Sequence, residues 1–123
     1  MMPPKPHTTR MPALHDFLTK KHFKFGINTL RDKSNTCEWQ AYRTSEIPAR
    51  DCETNGSGAQ LVVVPFQYNI QDSVHESVEI GIRGEYNEIW YELKAYAMSP
   101  AELTKNFKDV EASLVRSWNA LKE

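Results

Sequence analysis

The last third of the chain carries the signal that most constrains the fold, a helix start followed by a single apolar stripe. Ser99, Pro100 and Glu102 stand where a capping box places its N-cap, first and third helical residues. Apolar residues then recur at intervals of three and four: Leu103, Phe107, Val110, Leu114, Trp118 and Leu121. They form a stripe about 80° wide on a helix. The pattern predicts a long amphipathic C-terminal helix that packs through one side.

Alternating apolar and polar residues precede this helix and predict an antiparallel sheet. Residues 60–70 form the most apolar run, and Val62, Val64, Phe66, Tyr68 and Ile70 would share one face of it if the register survives Pro65. Pro65 cannot donate to a ladder, so the run is expected at a sheet edge or with a bulge. Residues 78–83 and 88–97 then predict a hairpin closed by a loop at residues 84–87.

The first third predicts a short helix and one more strand. Pro12 suits a helix start, and Leu14, Phe17 and Leu18 follow at helical spacing over residues 12–22. Residues 37–44 alternate as a strand, with Cys37, Trp39 and Ala41 on one face.

Together these elements predict an α+β fold. It would have a short N-terminal helix, an antiparallel sheet of four or five strands, and the C-terminal helix on one sheet face. Residues 11–123 are expected to form one domain, and the proline-rich residues 1–10 an extended arm.

Composition argues against two classes of partner. The chain of 123 residues has 15 basic and 16 acidic residues, a net charge of -1, so it lacks the basic excess typical of nucleic-acid binders. It has no apolar run near the roughly 20 residues that span a bilayer, and no secretory signal pattern at residues 1–9. We therefore expect a cytoplasmic protein that binds neither nucleic acid nor membrane, with Cys37 and Cys52 as reduced thiols.

Few residues suggest chemistry. His75 beside Glu76 could do acid–base work if both shared a cleft. His15 and His22 are seven residues apart, about 10.5 Å along a helix, which is too far for one metal ion. No phosphate-loop or dinucleotide motif occurs, so we expect no metal and no cofactor.

The predicted strand at 88–97 carries large aromatic residues on its second face. Ile89, Tyr91 and Leu93 would meet the C-terminal helix, which turns Trp90 and Tyr96 to the opposite face. Aromatic residues on an outer sheet face are typical of interfaces and ligand surfaces. The alternative is that the first helix and the strand around Trp39 cover them.

Three functional hypotheses follow. The first is a non-enzymatic binding protein that self-associates as a homodimer, or binds a partner protein, through a sheet face or the arm. The second is a binder of a small apolar or aromatic ligand, in a cavity between sheet and C-terminal helix. Residues expected to line that cavity are Trp39, Tyr91, Tyr96 and Trp118. The third is a small enzyme that uses His75 and nearby carboxylates.

Overall fold

The computed structural model describes residues 10–27, 37–45, 59–86, 89–94 and 97–122, and for Tyr86, Trp90, Lys94 and Lys122 the backbone alone. In chain order the elements are α1 (Pro12–Lys20), β1 (Lys24–Ile27), β2 (Trp39–Thr44), β3 (Gln60–Ile70), β4 (Ser73–Tyr86), β5 (Ile89–Lys94) and α2 (Pro100–Asn119). A 3-10 turn at Ala120–Lys122 follows α2. The predicted α+β fold is confirmed.

The five strands form one antiparallel sheet in the order β1-β2-β3-β4-β5. Successive residues of a strand point to opposite faces. Both helices pack on one face, which we call the inner face. It carries the buried residues Ala41, Leu61, Val63, Ile80 and Ile82, and these join the buried residues of α1 and α2 in one hydrophobic cluster. We call the opposite face the outer face.

Strand β3 is the central strand, so the predicted edge position for Pro65 is wrong. Pro65 pairs with Val78 of β4, and on its other side its carbonyl accepts a hydrogen bond from the backbone N–H of Cys37, at 3.1 Å. The nitrogen and carbonyl of one antiparallel residue point the same way. The missing N–H of Pro65 therefore faces the β2 side, beyond the last regular pair of Ala41 with Val63. The absence of an N–H on Pro65 therefore removes no backbone hydrogen bond between β3 and β4.

Strand β4 extends beyond its predicted range at both ends. The β3–β4 turn consists of Gln71 and Asp72, both at positive φ (52° and 68°), as the tightest hairpin loops require. Aspartate tolerates this left-handed conformation better than most residues. At the other end, Gly84 was predicted in the hairpin loop but lies within the strand, paired with Tyr91. The described part of strand β5 is Ile89–Lys94, and residues 95 and 96 of the predicted strand lie outside the described residues.

Helix α2 begins as predicted. Ser99 Oγ accepts the backbone N–H of Glu102, and the Glu102 carboxylate accepts the backbone N–H of Ser99, both at 3.1 Å. Of the predicted stripe, Leu103, Phe107, Leu114 and Trp118 are buried, while Val110 and Leu121 pack against the core. The capping box and the stripe together fix where α2 starts and which side it buries.

Gly84 lets α2 approach the sheet closely. A β-carbon placed on Gly84 would lie 2.9 Å from Cη2 of Trp118, well inside van der Waals contact. The Trp118 side chain is almost fully buried. This glycine is therefore explained by packing rather than by a turn.

A buried ion pair ties α2 to β2. Arg43 Nη2 lies 2.8 Å from Glu111 Oε2, and the Ser45 hydroxyl donates to the same oxygen at 2.8 Å. Arg43 Nη1 also donates to the carbonyl of Lys21, which follows α1. The guanidinium lies over the ring of Phe23, 4.8 Å from its centroid. Glu111 lies on the buried side of α2, where the apolar stripe gave no reason to expect a charge.

Candidate functional site

The outer face of β3 carries an apolar stripe that neither described helix covers. Val64, Phe66 and Tyr68 are half-buried there and Ile70 is 49% exposed, and we call these four residues the outer stripe. A strand that is apolar on both faces is typical of sheets covered on both sides. The described elements cover only the inner side of β3.

The outer stripe lies where the β3–β4 hairpin extends past its neighbours. Regular pairing of β2 with β3 stops at Val63, and that of β5 with β4 stops at Gly81. The hairpin itself stays paired up to its turn at Gln71 and Asp72. Past the further contacts of Cys37 with Pro65 and of Met98 with Val78, the hairpin is a two-stranded ribbon, and neither described helix packs on its outer side.

Polar side chains of β4 flank the outer stripe. Phe66 pairs with Ser77, and Tyr68 pairs with His75, whose ring stacks on the tyrosine with centroids 5.7 Å apart. Because serine is small, a hollow of about 260 Å³ lies there, lined by Phe66, Tyr68, Ser77 and Glu79. Aromatic walls with a carboxylate at the rim suit an aromatic side chain or a hydrogen-bond donor.

The other end of the outer face is different. Arg83 Nε donates to Gln60 Oε1 across the strands at 3.3 Å, and Val62 is buried. Among the described side chains of this face, the exposed apolar ones are thus concentrated at the hairpin end.

The aromatic residues singled out from β5 are not tested by the structure. Trp90 pairs with Glu85 through its backbone, but its side chain lies outside the described part of the chain, as does Tyr96. Their exposure on the outer face stays a prediction.

The other predicted ligand residues belong to the core. Trp39 and Trp118 are buried in the hydrophobic cluster, and Tyr91 is half-buried and packs against that cluster. The indole N–H of Trp39 donates to the carbonyl of Arg10 at 2.9 Å. None of these three side chains lines the hollow over Ser77, the cleft between the first turns of α1 and α2, or a smaller cleft beside Phe17 and Phe107.

His75 and Glu76 do not share a site. His75 was expected before a strand but lies within β4, where it is exposed and stacked on Tyr68. Glu76 points to the opposite face and accepts a hydrogen bond from Gln67 Nε2 at 3.0 Å. Adjacent residues of a strand cannot converge on one substrate, so we propose no enzymatic role for this pair.

An open cleft of about 720 Å³ lies between the first turns of α1 and α2 and the beginning of β4. Its lining is Ala13, Leu14, Val74, Glu76, Ser99, Pro100, Ala101 and Thr104. The volume is in the range of small-molecule pockets, and the lining combines apolar with a few polar groups. The predicted cavity under α2 was expected to be lined by aromatic residues, whereas this cleft has none.

Cys37 is a structural cysteine. Its thiol is buried and donates to Met11 Sδ at 3.7 Å. Burial, together with the negative charge of Glu38, raises the pKa of Cys37 from 9.0 to about 11. A thiol that resists ionisation is a poor nucleophile. Cys52 lies outside the described residues.

Within the described ranges, no group of three or more His, Cys, Asp or Glu residues could hold a metal ion. His15 instead stacks on Phe25, with ring centroids 3.9 Å apart, and His22 is exposed. No described helix is long and apolar enough to cross a membrane.

Sequence reasoning recognised the residues of the outer stripe as sharing a face but did not select them as a site. The missed signal is the run from Leu61 to Phe66, in which both alternating sets are apolar. Such a run predicts cover on both faces, and only one cover was assigned.

Comparison of the chain with protein-family models, curated proteins and solved structures gives no match.

Proposed function

We propose that this chain is a non-enzymatic binding protein that self-associates through the outer face of its β3–β4 hairpin. The observation that carries the proposal is the outer stripe. It places apolar and aromatic side chains on the face that the described helices leave uncovered. Burying apolar surface contributes about 25 cal/mol per Å², so a second layer on this face would be stabilised.

The surface has the composition of an interface. Aromatic residues are enriched in interface cores and charged residues are depleted there. Phe66 and Tyr68 lie in the centre of the patch, and Glu79 lies at its rim. A small patch favours a weak dimer rather than an obligate one. The expected place of action is the cytoplasm, with which the free buried thiol of Cys37 is compatible.

Sedimentation tests the proposal by measuring the mass of the protein at concentrations from about 1 µM to about 1 mM, the range in which weak complexes dissociate. The wild type should change from the monomer of 14.2 kDa towards twice that mass. Phe66→Glu should stay monomeric, because it places a carboxylate in the centre of the patch. Circular dichroism and a melting curve confirm that each variant is folded.

Ile27→Glu is the matched control. Ile27 is 80% exposed at the end of β1, so the same kind of change is made on apolar surface away from the outer stripe. It should associate as the wild type does. The proposal fails if the wild type remains a monomer throughout, or if Ile27→Glu weakens association as much as Phe66→Glu.

The cleft between α1, α2 and β4 supports a second candidate, the binding of a small apolar ligand. A thermal-shift screen tests it, because a ligand at 100 times its dissociation constant stabilises the fold by about 2.7 kcal/mol. A compound that binds there should raise the melting temperature of the wild type but not of Ala101→Trp, which fills the cleft. Equal shifts in both proteins would exclude this site.

A further inference from the structure

We infer that the binding partner of the outer stripe is a second copy of this chain, held around a two-fold axis that crosses Phe66 and Ser77. This inference rests on the proposed function and adds its geometry. In this arrangement the outer stripe lies antiparallel against itself. His75 of each copy then faces Glu79 of the other.

The register of the hairpin is symmetric about this axis. Phe66 and Ser77 are directly paired, and His75 and Glu79 lie two residues to either side of Ser77 on the same face. The two-fold axis lies between the two sheets and runs perpendicular to the strands, so it reverses the direction along each strand. It therefore brings His75 of one copy opposite Glu79 of the other, twice per dimer.

The same operation matches the apolar residues. Val64 and Tyr68 lie two residues to either side of Phe66, so each faces the other across the interface. Ile70, the most exposed member of the outer stripe, lies over the segment around Val62 of the other copy, where the Val62 side chain is already buried. Sheets packed in this way keep their strands within about 30° of one another and lie about 10 Å apart.

The hollow over Ser77 makes room at the centre. On the axis, the Phe66 rings of the two copies face each other directly and must lean aside. The space beside each ring is the hollow of about 260 Å³, which exists because Ser77 is small. Each ring can lean into the hollow of the other copy and contact Tyr68 there.

Charge selects this register over its neighbours. A shift of the axis to Val64 and Glu79 would place the two Glu79 carboxylates face to face. A shift to Tyr68 and His75 would place the two imidazoles together. Only the axis at Ser77 pairs an imidazole donor with a carboxylate acceptor, and like charges directly opposite destabilise sheets and interfaces. The surface is thus complementary to itself, as an isologous dimer requires.

A charge-swap cycle tests the register. His75→Glu alone should weaken the dimer about tenfold, since it places two carboxylates together. Glu79→Lys alone should weaken it less, by removing the acceptor for His75. The double variant His75→Glu with Glu79→Lys should associate within about threefold of the wild type, because the opposite charges meet again. Sedimentation at low salt gives each dissociation constant.

A zero-length cross-link gives a second measurement. A carbodiimide joins an amine to a carboxylate with loss of water, so His75→Lys should form a covalent dimer through Glu79. Mass spectrometry should identify the joined peptides. His75→Lys with Glu79→Gln is the control and should give no such product.

The outcomes separate the two claims. Recovery in the double variant together with the cross-link supports the register. If Phe66→Glu abolishes the dimer but the double variant is as weak as the singles, the register is wrong and self-association stands. If the wild type is a monomer, both claims fail.

Discussion

The two faces of β3 are both apolar, but only one has its cover within the described chain. On the inner face, Leu61 and Val63 are fully buried beneath the helices. On the outer face, Val64 and Phe66 are only half-buried, and Ile70 near the hairpin turn is exposed. From residue 61 to residue 66 both sides are apolar, whereas nearer the turn the inner side carries Gln67 and Asn69. What differs is whether a described helix of the same chain reaches that side, and in our proposal the outer pattern serves association.

The largest effect on the inner side is expected from the buried ion pair. Glu111→Ala leaves the Arg43 guanidinium buried without its carboxylate, which typically costs about 3–5 kcal/mol. Urea unfolding measures the loss, with Asp109→Ala on the exposed side of α2 as the control. A loss below about 1 kcal/mol would show that the pair is solvated. Replacing both partners, Arg43→Met with Glu111→Leu, should recover most of the stability.

Two neighbouring valines compare the faces directly. Val63→Ala removes methyl groups from the core and should cost about 2–3 kcal/mol in urea unfolding. Val64→Ala makes the same change on the outer face and should cost less than about 1 kcal/mol at concentrations where the protein is monomeric. Equal costs would mean that the outer face is as well covered as the inner one, contrary to the proposed interface.

Gly84 tests how closely α2 packs on the sheet. Gly84→Ala places its β-carbon against the Trp118 ring and should destabilise by about 1–3 kcal/mol. Gly26→Ala is the control, because its β-carbon would lie 3.6 Å from Tyr42 Cε1, an ordinary contact. A smaller cost of Gly84→Ala in a Trp118→Phe background would confirm the contact. An identical cost in both backgrounds would contradict it.

The last effect depends on pH and concerns Cys37 on the inner side. Its folded pKa of about 11 lies above the ordinary 9.0, so the neutral thiol favours the folded state. This contribution is complete below pH 9 and is lost as the pH rises towards 11. The stability difference between wild type and Cys37→Ala, measured by urea unfolding in a Cys52→Ser background, should therefore shrink over that interval. A difference that is constant with pH would mean that the thiol is solvated.

The parts of the fold that could be predicted are those set by residues close together in the sequence. The capping box at Ser99 and Glu102 involves residues three positions apart, and the apolar stripe of α2 repeats within each turn. A run rich in β-branched and other apolar residues likewise identified β3 with its observed bounds, Gln60–Ile70. These signals depend on neighbours in the chain, so they can be read without knowing the fold.

Contacts between distant residues were not predictable in the same way. Arg43 and Glu111 are 68 positions apart, and nothing in either neighbourhood marks them as partners. Gly84 was taken for a turn residue because its contact with Trp118 is visible only when α2 lies on the sheet. The candidate site lies on β3 and β4 because their outer side chains are described, whereas the side chains of Trp90 and Tyr96 are not, so the prediction for those two residues stays untested.

The sequence by itself determined which segments are helices and strands and which of their sides are apolar, because these properties repeat along the chain. Tertiary structure decided which apolar side is covered. Both helices pack on the inner face, since α1 and α2 share one hydrophobic cluster with Leu61, Val63 and Ile80. The outer stripe keeps its apolar character without a described cover, and in our proposal a second copy of the chain buries it.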